Sequence, residues 1–171
     1  MFSGSYITSV DFINSKSLNS LKTASHMFCG CTSIPSISLT IELPNLEIAD
    51  NMFDGTIYNT TTKITSNLSS LKDASHMLSG CRDLQSVDLS GATFSSSEAI
   101  NLDSMLSGDL KLSSLTISKC RPSTTHDMFY MCKSLVELDV SFIDSSLCTN
   151  FNSMFFNCSN LTHIYCEAGT D

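Results

Sequence analysis

One stretch of this chain recurs. Leu71-Lys72-Asp73-Ala74-Ser75-His76-Met77-Leu78-Ser79-Gly80-Cys81 is followed by Leu84, Val87 and Leu89, and fifty residues earlier stands Leu21-Lys22-Thr23-Ala24-Ser25-His26-Met27-Phe28-Cys29-Gly30-Cys31, followed by Ile34, Ile37 and Leu39. With the methionine as marker there are seven copies, at Met1, Met27, Met52, Met77, Met105, Met128 and Met154, spaced 26, 25, 25, 28, 23 and 26 residues apart. A fixed period in the range of roughly 20 to 50 residues marks a stacked array and overrides any fold inferred from composition.

Each copy changes its periodicity part-way. Before and at the methionine, apolar residues fall at helical spacing (Leu21, Ala24, Met27, Phe28; Leu71, Ala74, Met77, Leu78), which predicts one buried face of a short helix. Three residues after the methionine stands Gly4, Gly30, Gly55, Gly80 or Gly108, with Met131 and Asn157 in the last two copies. Glycine there can adopt the left-handed conformation that closes a helix. Apolar residues follow at seven, ten and twelve beyond the methionine, as in Leu84, Val87, Leu89 and Leu135, Leu138, Val140; their alternation predicts a short strand. A helix–turn–strand unit cannot bury its own apolar face, but stacked units bury one another's.

This arrangement resembles the BspA-type leucine-rich repeats of host-associated bacteria and protists, and the related repeat of mycoplasmal lipoproteins. The resemblance is clearest in Leu138-Asp139-Val140-Ser141, Asp144-Ser145, Thr149-Asn150, Ser153-Met154-Phe155 and Cys158-Ser159-Asn160-Leu161. The expected fold is an α/β repeat: a leucine-rich-repeat-like, right-handed solenoid of about seven helix-turn-strand units with a parallel strand ladder, spanning residues 1–171 as a single domain. The chain begins in phase with the later Met-Phe-x-Gly segments, so the first repeat lacks its leading half. A solenoid usually ends in a polar cap; the expectation is a module of a longer chain, or an edge at Met1 and Phe2 that docks end to end on another subunit. No basic start and apolar run marks a signal peptide, and the carboxyl end turns polar after Cys166.

Irregularities locate the expected loops. Ile7, Val10 and Phe12 suggest a strand shifted by one residue, and loops are expected near residues 40–46, 57–63 and 91–98. Pro122 fits the first turn of a helix. Asp50, Asp73, Asp103 and Asp127 would precede or enter helices and complement their amino termini.

Four cysteines, Cys31, Cys81, Cys132 and Cys158, share one position and are expected to form a buried structural ladder of free thiols, acting as small apolar groups. Two repeats separate Cys31 from Cys81, about 10 Å, beyond the roughly 7 Å reach of a disulfide; Cys132 and Cys158 are adjacent and could only just pair. Cys148 and Cys166 fall on inward positions, and Cys29 and Cys120 are the expected exposed thiols. Ser5, Thr56 and Asp109 replace the cysteine elsewhere. His26, His76, His126 and His163 offer no zinc-ligand spacing, and a parallel ladder keeps them from converging on one site. No phosphate loop, nucleophile elbow or paired carboxylates appear, so no enzyme and no cofactor or metal is expected.

What remains is surface. The outward strand residues Ser38, Lys63, Asp88, Thr116, Asp139 and Tyr165, with Glu137 and His163 two residues earlier in their strands, form the candidate binding face. A net charge of −8 argues against nucleic acid or an anionic membrane as partner, and no apolar run reaches the roughly 18 residues of a membrane span. The resemblance implies a protein-binding or adhesion module of a surface-exposed or extracellular protein, with a protein or glycoprotein ligand. The alternative is a structural or decoration subunit of an assembly such as a phage or virus particle. Asn59-Thr60-Thr61, Asn67-Leu68-Ser69 and Asn160-Leu161-Thr162 would accept glycans in a eukaryotic secretory route.

Overall fold

The computed structural model describes residues 1–9 and 18–167. Val10 and Phe12 lie outside them.

The methionine segments are not helices. Residue Met−1 takes a positive φ in six copies (His26 53°, Asn51 52°, His76 54°, Ser104 54°, Asp127 53°, Ser153 55°), and so does residue Met+3 (Gly30 66°, Gly80 68°, Met131 61°, Asn157 59°). Two left-handed residues four apart are incompatible with an α-helix. The backbone runs instead through consecutive tight turns: Met27 N–H donates to the Ala24 carbonyl (3.0 Å), Cys29 to His26 (3.3 Å) and Cys31 to Phe28 (3.1 Å). The intervening amides point forward to the next coil, Ala24 to Ile48 (2.8 Å), His26 to Asp50 (3.0 Å), Phe28 to Met52 (2.8 Å) and Gly30 to Asp54 (2.7 Å). The same alternation recurs from Ala49 to Thr56. No amide is left for an i→i−4 bond. The apolar spacing 0, 3, 4, 7 that resembled a helix, as in buried Ala74, Met77, Leu78 and Cys81, is what this chain of turns also places inward.

The fold is therefore a β-solenoid of about five turns with parallel strands and no α-helix among the described residues, in place of seven helix-turn-strand units. Strands β1 (Ser36–Leu39), β2 (Thr61–Ile64), β4 (Ser86–Leu89) and β7 (Ser114–Ile117) form one parallel sheet, and β9 (Glu137–Asp139) pairs in parallel with β10 (His163–Tyr165). Short parallel pairs complete other sides: β3 (Asn67–Leu68) with β5 (Thr93–Phe94), and β6 (Ile100–Asn101) with β8 (Pro122–Thr124). A 3-10 turn spans Ser145–Leu147.

Several local expectations change accordingly. Ile41, Leu43 and Leu46 are buried, so residues 40–46 line the core and do not protrude. The 57–63 segment contains the start of β2, where Thr62 faces inward and receives the Asn59 Nδ2–H at 2.8 Å. Residues 91–98 contain β5, and Pro122 begins β8. Asp73 caps no helix: its carboxylate accepts the Ser75 amide (2.9 Å), opening the run of turns.

Equivalent side chains stack along the solenoid in columns. Phe2 lies on Phe28 and Phe28 on Phe53, with ring centroids 5.5 and 5.3 Å apart; Leu78 and Leu106 continue the column, and Phe129 on Phe155 (5.6 Å) ends it. The cysteine column is polar in its hydrogen bonding. Each thiol donates to a carbonyl of the preceding coil, Cys31 to Phe2 (3.0 Å), Cys81 to Phe53 (3.4 Å), Cys132 to Leu106 (3.0 Å) and Cys158 to Phe129 (2.9 Å). The hydroxyl at this position bonds differently: Thr56 donates to the Phe53 carbonyl of its own turn (3.0 Å) and contacts the Cys81 sulfur at 3.0 Å. All eight cysteines are free thiols. Cys120 is buried, burial pushing its thiol up to about 12, while Cys166 is exposed, the reverse of the sequence expectation.

A Cβ on Gly80 would meet only ordinary contacts, 3.6 Å to an Asp54 carboxylate oxygen and 3.8 Å to the Gly55 backbone. The cost of Gly80→Ala is therefore conformational, about 1–2 kcal/mol. Gly80→Asn should cost less, because asparagine tolerates the left-handed region; chemical denaturation of the two variants beside the native protein measures the order.

Candidate binding face

The outward row is built by register. In the four-strand sheet Ser36, Thr61, Ser86 and Ser114 are aligned, and so are Ser38, Lys63, Asp88 and Thr116. Their neighbours Ile37, Leu39, Val87 and Leu89 point into the core, so the pleat forces the row outward. In the second sheet Glu137 aligns with His163, and Asp139 with Tyr165. The eight residues singled out from sequence thus lie on strand faces, four in one aligned run and four in two aligned pairs, in two separate sheets.

The two parts differ in chemistry. On the first, Lys63 Nζ lies 3.3 Å from Asp88 Oδ2. Asp88 also accepts the Ser90 hydroxyl (2.6 Å) and amide (3.0 Å), and Ser90 followed by Lys63 holds its carboxyl below the ordinary range. On the second, Tyr165 donates its phenol to Glu137 Oε2 (3.3 Å), His163 Nδ1 stands 4.0 Å from Glu137 Oε1, and the His163 and Tyr165 rings stack at 6.3 Å. The charge of Glu137 raises the Tyr165 phenol above its ordinary value. Asp139 is lowered by Ser141, through its hydroxyl and its amide. This second part presents carboxylates beside a stacked pair of rings.

A polar edge not anticipated from sequence runs along the left-handed turn residues. Asp50 accepts the Ser25 hydroxyl and the Asn51 amide group (3.1 Å) and lies 3.7 Å from His26 Nδ1. Asp103 accepts the Thr124 hydroxyl and the His126 amide (3.0 Å), and His126 Nδ1 is 3.2 Å from Asp127. The one available signal was that a polar residue precedes each methionine from Met27 onward. Elsewhere, a depression of about 430 Å³ includes Lys22, Glu47 and Lys72, whose charges are joined by contacts of 3.5 and 2.8 Å. Among the described residues no three His, Cys, Asp or Glu side chains gather as a metal site, and no helix is long and apolar enough to cross a membrane.

No family model and no curated protein matches the chain. Among solved structures it is similar to a leucine-rich repeat protein from Bacteroides ovatus, at 18% identity and a TM-score of 0.43; the likeness covers 82% of this chain and 39% of that one. This chain thus spans well under half of that protein's length. So loose a likeness says nothing of function, and the solenoid is established by its own hydrogen-bond ladder.

The Lys63 side chain is 59% exposed, so its ion pair with Asp88 is screened by water and contributes little to stability. Lys63→Ala should leave the thermal midpoint within a few degrees of native, which a melting curve checks, and so the face can be altered without unfolding the protein.

Proposed function

We propose that this protein is a non-enzymatic recognition module whose strand face contacts a protein or glycoprotein ligand, as part of a surface-exposed or extracellular protein. The observation that carries this reading is the register itself: parallel pairing sets outward polar and charged side chains in straight rows on a stiff scaffold, the geometry with which solenoids make wide contacts. The resemblance of the repeat to BspA-type surface proteins supports it. Glu137, Asp139, His163 and Tyr165 are the proposed centre, because aromatic anchors concentrate binding energy and Tyr165 is half-exposed beside two carboxylates. Ser38, Lys63, Asp88 and Thr116 extend the contact. The negative charge around Asp88 and Asp139 favours a ligand surface with basic groups, steering encounter more than adding affinity.

Met1 is almost fully exposed, and Phe2 stacks on Phe28 with part of its ring open. The proposed end-to-end contact with another subunit would sit on this edge.

The test is titration of the purified protein against immobilised matrix glycoproteins over a range of salt. The expected result is saturable binding that weakens as salt rises, and that falls at least about tenfold, roughly 1.4 kcal/mol, when Asp88, Glu137 and Asp139 are together changed to lysine. Saturable binding that ignores both salt and those substitutions overturns the assignment of the face; no binding at all overturns recognition of this ligand class.

A further inference from the structure

We infer that Asp109 makes an acid-favoured joint in the solenoid: its carboxyl is protonated in the folded stack, and ionisation as pH rises loosens the layers around it. Asp109 occupies the column position that holds Cys31, Cys81, Cys132 and Cys158 in other copies, and it is 0% exposed. A thiol or hydroxyl there is neutral and donates a hydrogen bond to a carbonyl, the thiols to the preceding coil and Thr56 to its own turn; a carboxylate can only accept. One oxygen, Oδ1, accepts the Cys81 amide at 2.8 Å, and the other, Oδ2, is buried without a partner.

The bond to Cys81 is itself a departure. At the equivalent residues Cys31, Thr56, Cys132 and Cys158 the amide closes its own turn, onto Phe28, Phe53, Phe129 and Phe155. The Cys81 amide instead reaches across to Asp109. The ionisable groups facing Asp109 are Asp54 and the thiols of Cys81 and Cys132, and none is a cation. Burial first, and then the charge of Asp54, favour the neutral acid, against the single hydrogen bond from Cys81. On the strand face the ladder lapses here, the sheet containing β7 being separate from that of β9 and β10, so the coil of Asp109 is joined to the next through β6 with β8 and the turn amides of Leu106 and Gly108.

The direction of the pH dependence follows from linkage. In acid, folded and unfolded states both bind the proton and Asp109 has no effect on stability. Once pH passes the ordinary aspartate range the unfolded chain ionises while the folded chain must hold the proton or bear a buried charge, so stability falls as pH rises. The surface carboxylates Glu47, Asp50, Asp88, Asp139 and Asp144, partly to fully exposed and all lowered by their partners, act in the opposite sense and lose their contribution in acid.

The experiment compares thermal midpoints of the native protein and Asp109→Asn from about pH 4 to about pH 8. The surface carboxylates are common to both proteins, so the difference between the curves isolates Asp109. The native protein should lose several degrees relative to Asp109→Asn across that range. A flat difference, or one in which the native protein gains as pH rises, overturns the inference. Asp109→Cys, which restores the column residue, serves if the asparagine variant does not fold. In the native protein alone, hydrogen exchange at the Cys81 amide, corrected for intrinsic base catalysis, should lose protection relative to the Phe53 amide as pH rises; a constant ratio also overturns it.

Discussion

The alternation of backbone amides is the constraint on which everything else rests. From the Met1 to the Met128 segment every second N–H is committed to the next coil, and most of the others close three-residue turns, the Cys81 amide being an exception. Removing a neighbour would orphan four amides per coil, and buried unpaired amides are costly enough that the unit has no independent existence. The turns also need two left-handed residues each, which glycine supplies without strain at one position and short polar residues or histidine supply at the other. Stability is consequently a property of contacts between layers, and the aromatic and thiol columns are its side-chain expression.

Those columns have different rules. The ring column needs bulk and flatness, and leucine at Leu78 and Leu106 fills it with no polar consequence. The cysteine column takes a small neutral donor, whose hydrogen bond ends on a carbonyl of the coil before for the thiols and of its own turn for Thr56. Cysteine and threonine satisfy that need, whereas Asp109 satisfies it only as the neutral acid. Reading these cysteines as small apolar groups captured their burial and missed the bond that selects them.

Much of the architecture was legible because repetition is a direct record of stacking. The period, the parallel ladder and the inward strand residues Ile37, Leu39, Val87 and Leu89 follow from spacing alone. The helix did not exist, because apolar residues at 0, 3, 4 and 7 are shared by a helix and by consecutive tight turns; burial spacing cannot tell them apart. The discriminating sign was conformational: glycine after the methionine and His26, Asn51, His76 or Asp127 before it require two positive-φ residues within one supposed helix. The strand face was legible as alternation, but the cluster of Glu137, His163 and Tyr165 depends on register between β9 and β10, which no single strand contains.

Parallel stacking also bears on what chemistry such a surface can perform. Equivalent side chains in adjacent coils stand about 4.8 Å apart, and they approach along straight columns rather than around a point. Pairs form readily, as Lys63 with Asp88 or Lys72 with Glu47. A surface of this form gains specificity by matching many weak contacts over several layers. In the proposed recognition role, affinity would depend on how rigidly the layers hold their spacing, which would tie the outer face to the amide alternation and the columns beneath it.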